Sequence, residues 1–271
     1  MKIYLPDLFE YENASILDQT ISETITGTLS FNGQRCTALK LLFVPKAHGD
    51  AFAEKLSNEL DTLRVGLPWQ EWRDENGKVN YAHVTPLPNV KRIKYMQSLI
   101  SDALSKGAKI LNKDGGKVIG GEDSTLMVPA LLYPVNKTMD LYYEEQFGPV
   151  IPITTYADLD AVYEYGQEGK YGQQVSIFTT QGGEDTVSLV DRFSSVFGKI
   201  NLNAQCGRSP DSLAFSGRRS SALGVMSIQD ALKEFSIPTV VAYKKGSVGG
   251  DVTEEMAKSI QTKSNFMQSI L

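Results

Sequence analysis

From about residue 14 to residue 244, stretches with helical period alternate with short apolar runs, and this alternation constrains the fold more than any other feature of the chain. Leu17, Ile21 and Ile25 recur every four residues, the spacing of one helix face. Leu39-Lys40-Leu41-Leu42-Phe43-Val44 then reads as a buried strand. Phe52, Leu56, Leu60 and Leu63 make a second helical stripe, which Val65-Gly66-Leu67-Pro68 stops. Residues 69–83 are polar and read as a surface excursion with a turn at Asp74-Glu75-Asn76-Gly77. A third helix runs through Ile93, Met96, Ile100 and Leu104 into the short run Ala108 to Leu111.

Strands are predicted over 126–133, 150–155, 175–178 and 199–203, with helices over 157–165 and 185–193 between them. Such a succession predicts an α/β fold, a largely parallel twisted sheet flanked by helices. Sites in these folds form beyond the carboxyl ends of the strands. The Gly-, Ser- and Arg-rich segment 205–221 is long enough to be a loop serving that role. Ile228, Leu232 and Phe235 lead to an expected edge strand, Ile237 to Tyr243, and a polar tail follows from Gly246.

Composition removes several function classes. The 27 basic and 32 acidic residues leave a net charge of −5, which gives no electrostatic support for a nucleic-acid partner. Two cysteines, Cys36 and Cys206, make no disulfide framework and no metal-binding spacing. His48 and His83 are the two histidines, a poor basis for a metal site or a His-paired cysteine protease. The apolar runs are strand-sized, no membrane span is predicted, and the N-terminus lacks a signal-peptide core. A reducing cytoplasm is the expected compartment.

Cys36 lies in Phe31-Asn32-Gly33-Gln34-Arg35-Cys36-Thr37, at a Gly-containing turn beside a cation. A nucleophilic thiol needs thiolate character, access and donors for a developing oxyanion. By itself, a cysteine before a strand is more often a small buried residue than a nucleophile. Glu145 alone reads as a solvated carboxylate and Phe147 as core.

Asn32-Gly33-Gln34-Arg35-Cys36-Thr37-Ala38 resembles the catalytic-cysteine motif of the aldehyde dehydrogenase superfamily, and Glu145-Gln146-Phe147-Gly148-Pro149-Val150 resembles its second signature. Arg35-Cys36-Thr37-Ala38, Val65-Gly66-Leu67-Pro68, Thr85-Pro86-Leu87 and Arg208-Ser209-Pro210-Asp211 are similar to the NADP-preferring, non-phosphorylating glyceraldehyde-3-phosphate dehydrogenase subgroup. The resemblance implies that Cys36 attacks an aldehyde and carries the resulting thioester, with its own backbone N–H as an oxyanion donor. It implies that Glu145 binds the nicotinamide ribose of NADP or NAD, and that Phe147 packs near the nicotinamide. Arg35, Thr37 and Arg208 become the substrate-binding residues; guanidinium groups suit a phosphate, though they also suit backbone carbonyls of the loop.

The family places a nucleotide-binding domain and a general-base Glu, in a Glu-Leu-Gly-Gly motif, before the cysteine. Counted back from Cys36, that Glu falls at or before residues 1–4, whereas the first Glu is Glu10 and the first Gly is Gly27. The expected division is an atypical segment over 1–13, the catalytic domain over 14–235, an oligomerisation strand over 236–245 and a tail over 246–271. One reading is an aldehyde dehydrogenase portion that needs its missing N-terminal half; another is a catalytically inactive remnant or homo-oligomeric interaction protein. A cofactor-free thiol hydrolase or esterase is the third.

Overall fold

A computed structural model of the chain describes residues 1–121, 123–237, 239–242 and 250–264. Residues 1–228 form one compact unit. Its centre is a seven-stranded sheet. We label its strands β1 (Lys2–Tyr4), β2 (Leu42–Pro45), β3 (Lys109–Ile110), β4 (Ala130–Tyr133), β5 (Val150–Tyr156), β6 (Gln174–Phe178) and β7 (Lys199–Leu202). The spatial order is β7-β6-β1-β2-β5-β4-β3. All neighbours are parallel except the edge pair β3–β4. The helices are α1 (Ala14–Leu29), α2 (Gly49–Asp61), α3 (Val90–Ser105), the single turn α4 (Asp140–Tyr143), α5 (Leu159–Glu168) and α6 (Glu184–Phe193).

Alternate side chains of each strand feed two cores, as a sheet covered on both faces requires. Tyr4, Leu42 and Val44 pack with Ile21 and Leu29 of α1 and with Phe52 and Leu56 of α2. Ile3, Leu41 and Phe43 pack with Met96 and Leu99 of α3, Val162 of α5 and Leu189 of α6. Asp158 starts α5 by accepting hydrogen bonds from the Asp160 and Ala161 amides.

Three expectations from sequence change. The expected strand over 126–133 divides: Leu126–Met127 pairs with Val118–Ile119 in a small hairpin, and Ala130–Tyr133 joins the main sheet. Pro129 lies between them and has no N–H to continue a ladder. Residues 2–4, set apart from the domain in the sequence, form an interior strand between β6 and β2. The segment is short and contains Lys2, so its apolar period could not show. For the expected edge strand, residues 237 and 239–242 carry no strand assignment, and Pro238 and Tyr243 lie outside the described residues.

Residues 229–271 make a second unit. Its described helices are α7, which begins just before it (Ile228–Glu234), and α8 (Gly250–Lys263). No helix among the described residues is long and apolar enough to cross a membrane.

Lys2 is fully buried in β1. Its Nζ donates to Thr24 Oγ1 at 2.7 Å and lies 3.6 Å from the centre of the Phe178 ring. Burial holds this ammonium well below the usual lysine range. The native state therefore binds fewer protons than the unfolded chain below about pH 10.5, and stability rises with pH across that window. Lys2→Met should raise stability at pH 7 by roughly 1–3 kcal/mol and remove the rise, because a buried cation without a carboxylate partner is costly. Thermal melts between pH 7 and 10 check this; a less stable variant with an unchanged pH slope would contradict it.

Candidate active site

A cavity of about 180 Å³ opens where β1, β2, β5 and β6 begin, and its wall includes Cys36, Thr37, Lys40, Glu145 and Phe147. It lies at the amino-terminal ends of these strands, not beyond their carboxyl ends as expected from the fold class. The reason is local: the residues lining it precede the strands, with Met1 before β1, 36–40 before β2 and 143–147 before β5. The loop over 205–221 still contributes, through Cys206, Ser220 and Ser221.

The cysteine loop is held in an unusual backbone conformation. Phe31, Asn32 and Gly33 have φ values of 54°, 58° and 70°, three consecutive residues in the left-handed region. Asn tolerates that region, and the side chain of Asn32 is fixed besides. Its Oδ1 accepts from the Thr85 amide at 2.9 Å and its Nδ2 donates to Thr85 Oγ1 at 3.1 Å. Gly33 is required sterically: a Cβ there would strike the carbonyl oxygens of Gly148 and Thr28. The loop then turns through a 3.0 Å bond from the Ala38 amide to the Arg35 carbonyl, and Cys36 is left exposed at the cavity.

The second motif is equally constrained. Phe147 has φ 45°, and a Cβ on Gly148 would collide with Met96. Gln146 is buried and ties the two motifs together: its Nε2 donates to the Val150 carbonyl at 2.8 Å and to the Lys40 carbonyl at 3.3 Å. Burial pushes the Glu145 carboxyl above its usual range, and the nearby Lys40 ammonium partly opposes this. Burial also lowers the Lys40 ammonium to about 8, against the opposing pull of Glu145 and Cys36. Its Nζ donates to the Gly33 carbonyl at 3.2 Å and lies 4.2 Å from the centre of the Phe147 ring.

Cys36, Thr37, Glu145 and Phe147 are thus brought together, and Arg35 and Arg208 are not among the residues lining the cavity. Arg35 Nη2 donates to Gln205 Oε1 at 3.3 Å, and its buried Nε has no partner. Arg208 pairs with Asp211 at 3.6 Å at the surface. Sequence reasoning read Lys40 as part of a strand and Gln146 as part of the second motif, and gave Cys206 no role in the site. A lysine inside the apolar run 38–44 was a signal for the first; Cys206, buried beside Ser176 Oγ, gave none.

A mostly parallel sheet between helices, with Cys36 beside the Glu145–Phe147 turn in one cavity, has the layout of an aldehyde-oxidising dehydrogenase domain. The profile of the aldehyde dehydrogenase family matches residues 11–241. The chain belongs to that family. It is 30% identical over 220 residues to an NADP-dependent glyceraldehyde-3-phosphate dehydrogenase of Streptococcus equinus, covering 80% of this chain and 42% of that relative. The corresponding Triticum aestivum enzyme is 26% identical over 216 residues, covering 80% and 40%. The NADP complex of the Bacillus halodurans C-125 enzyme superposes with a TM-score of 0.68 at 30% identity, covering 85% of this chain and 43% of that one. The glyceraldehyde-3-phosphate dehydrogenase of Methanocaldococcus jannaschii, also with NADP, gives 0.73 at 25% identity, covering 90% and 48%. The chain therefore spans about 40% of the length of the curated relatives it matches.

Gly33→Ala is expected to cost roughly 1–3 kcal/mol, because strain and collision act together there. Gly77→Ala is the control, since Gly77 also has positive φ but open space around it. Thermal melts check the pair; equal losses would show that the Gly33–Gly148 approach is not a packed contact.

Proposed function

We propose that this chain is the catalytic portion of an NAD(P)-dependent aldehyde dehydrogenase, with Cys36 as its nucleophile. The observation that carries the reading is the convergence of Cys36 and Thr37 with Glu145 and Phe147 on one cavity. The thiol of Cys36 is exposed to an incoming aldehyde, and the Cys36 backbone N–H is the donor for the oxygen that gains charge. Thr37 lies in the cavity wall beside it as a substrate contact.

Glu145 and Phe147 fit the nicotinamide end of a dinucleotide. A half-buried carboxylate suits ribose hydroxyls, and an aromatic ring at the cavity wall suits a flat heterocycle. When bound, such a nucleotide would supply the hydride acceptor. The chain's own residues hold the aldehyde carbon on sulfur and give access to the water that releases the acid. Most of the nucleotide contacts would come from a nucleotide-binding half, in the same polypeptide or in a partner, because the chain spans about 40% of its relatives.

The names of the relatives favour glyceraldehyde 3-phosphate as substrate and NADP as cofactor. Arg35 and Arg208 are the phosphate candidates, and each would first have to leave its present partner, Gln205 for Arg35 and Asp211 for Arg208. The second reading, an inactive member of the family that keeps the fold for assembly as a homo-oligomer, rests on the same partial coverage.

Co-expression with the N-terminal half of a glyceraldehyde-3-phosphate dehydrogenase relative, followed by NADPH formation from glyceraldehyde 3-phosphate, separates the two. Turnover is expected in the complemented protein, with a loss of about 10³-fold or more in Cys36→Ser. A folded, complemented protein without Cys36-dependent turnover of any aldehyde would favour the inactive reading.

A further inference from the structure

Lys40 is a charged cavity residue to which the family signatures give no role. It stands on the wall with Cys36 and Glu145. Its backbone is fixed because β2 begins two residues later and the side chain of Gln146 binds its carbonyl. Among the described residues the hydrogen-bond acceptor of its Nζ is the Gly33 carbonyl, one bond for a group with three donors. That carbonyl belongs to the loop that presents Cys36. The groups whose charges face Lys40 are Glu145, Cys36, Arg92 and Arg35, together with the Met1 amine. Arg35 and Arg92 oppose a further cation, and the ring of Phe147 and Glu145 favour one.

We propose that Lys40 is the group that takes up the proton of Cys36 when its thiol adds to a carbonyl, so that this cavity carries a base of its own. The inference rests on the reading of Cys36 as nucleophile. In the step, the Sγ–H proton passes to the unshared pair of the Lys40 amine. The sulfur pair forms the S–C bond, and the carbonyl π pair moves onto oxygen. An ammonium beside a sulfur–carbon adduct results, and no oxidant or co-reactant enters. Burial keeps Lys40 at about 8, so about half of the molecules hold a free amine at that pH, where an ordinary solvated lysine would hold very little. A base with this property near working pH is what proton transfer in catalysis favours.

The test reads the thiol and the amine without nucleotide or aldehyde, so it stands or falls separately from dehydrogenase activity. In a Cys206→Ser background, alkylation of Cys36 by iodoacetamide is followed from pH 5.5 to 9.5 in the otherwise unchanged chain, in Lys40→Met and in Lys40→Arg. Thermal melts confirm that each is folded. In parallel, acetic anhydride labelling of Lys40, read by peptide mass, gives its titration directly. The expected results are a Lys40 midpoint near pH 8, and alkylation at pH 7.5 roughly tenfold or more slower in Lys40→Met. Lys40→Arg keeps the cation but cannot release a proton, and should lose the step near pH 8. Identical alkylation profiles in all three folded proteins, or a Lys40 midpoint near that of solvated lysines, would overturn the proposal.

Discussion

The close approach of two glycine backbones, Gly33 and Gly148, is the constraint on which the site depends. The cysteine loop can reach the Glu145–Phe147 turn because Gly33 carries no side chain where the Gly148 carbonyl passes, and Gly148 in turn carries none where Met96 packs against it. Each is also flanked by left-handed residues, Phe31 and Asn32 on one side and Phe147 on the other. Backbone of this kind persists only where its surroundings over-determine it. Here the hydrogen bonds of Asn32 to Thr85 and of Gln146 to Val150 and Lys40 do so. The sheet provides the frame: β2 and β5 are parallel neighbours, so the segments preceding both arrive at the same edge.

Two buried or half-buried lysines show how burial alone does not define a function. Lys2 sits in the sheet interior, surrounded by Thr24, Tyr4 and Phe178, and is not among the residues lining the cavity. Lys40 is lowered by the same desolvation but faces a cavity that also holds a thiol and a carboxylate. The first affects stability with pH; the second is placed to affect chemistry.

Much of the fold was legible in the sequence because helices such as α2 and α3 carry long apolar stripes, and strands buried on both faces appear as continuous runs. The family was legible too, since the motifs around Cys36 and Glu145 are contiguous in sequence. What was not legible depended on contacts across the chain. The interior position of β1 is set by pairing with β6 and β2, which three residues cannot announce. The placement of the cavity at the strand starts follows from the motif segments that precede β2 and β5, and departs from the tendency of parallel sheets. Lys40 was read as part of a strand, and its character arises from burial in a cavity wall that it shares with Phe147 and Glu145, residues remote in sequence. Thr85 was noted as a subgroup marker; its physical role is to hold Asn32.

The central claim is that Cys36 is the reactive group of the cavity formed by the two motifs. The most direct measurement is intact-protein and peptide mass spectrometry after brief exposure of the folded chain to p-nitrophenyl acetate. A single acetyl group on Cys36, lost with time in water and absent from Cys36→Ser, is the result this account requires. Acetylation of Cys206 at an equal rate, or no preference for Cys36 over surface nucleophiles, would contradict it.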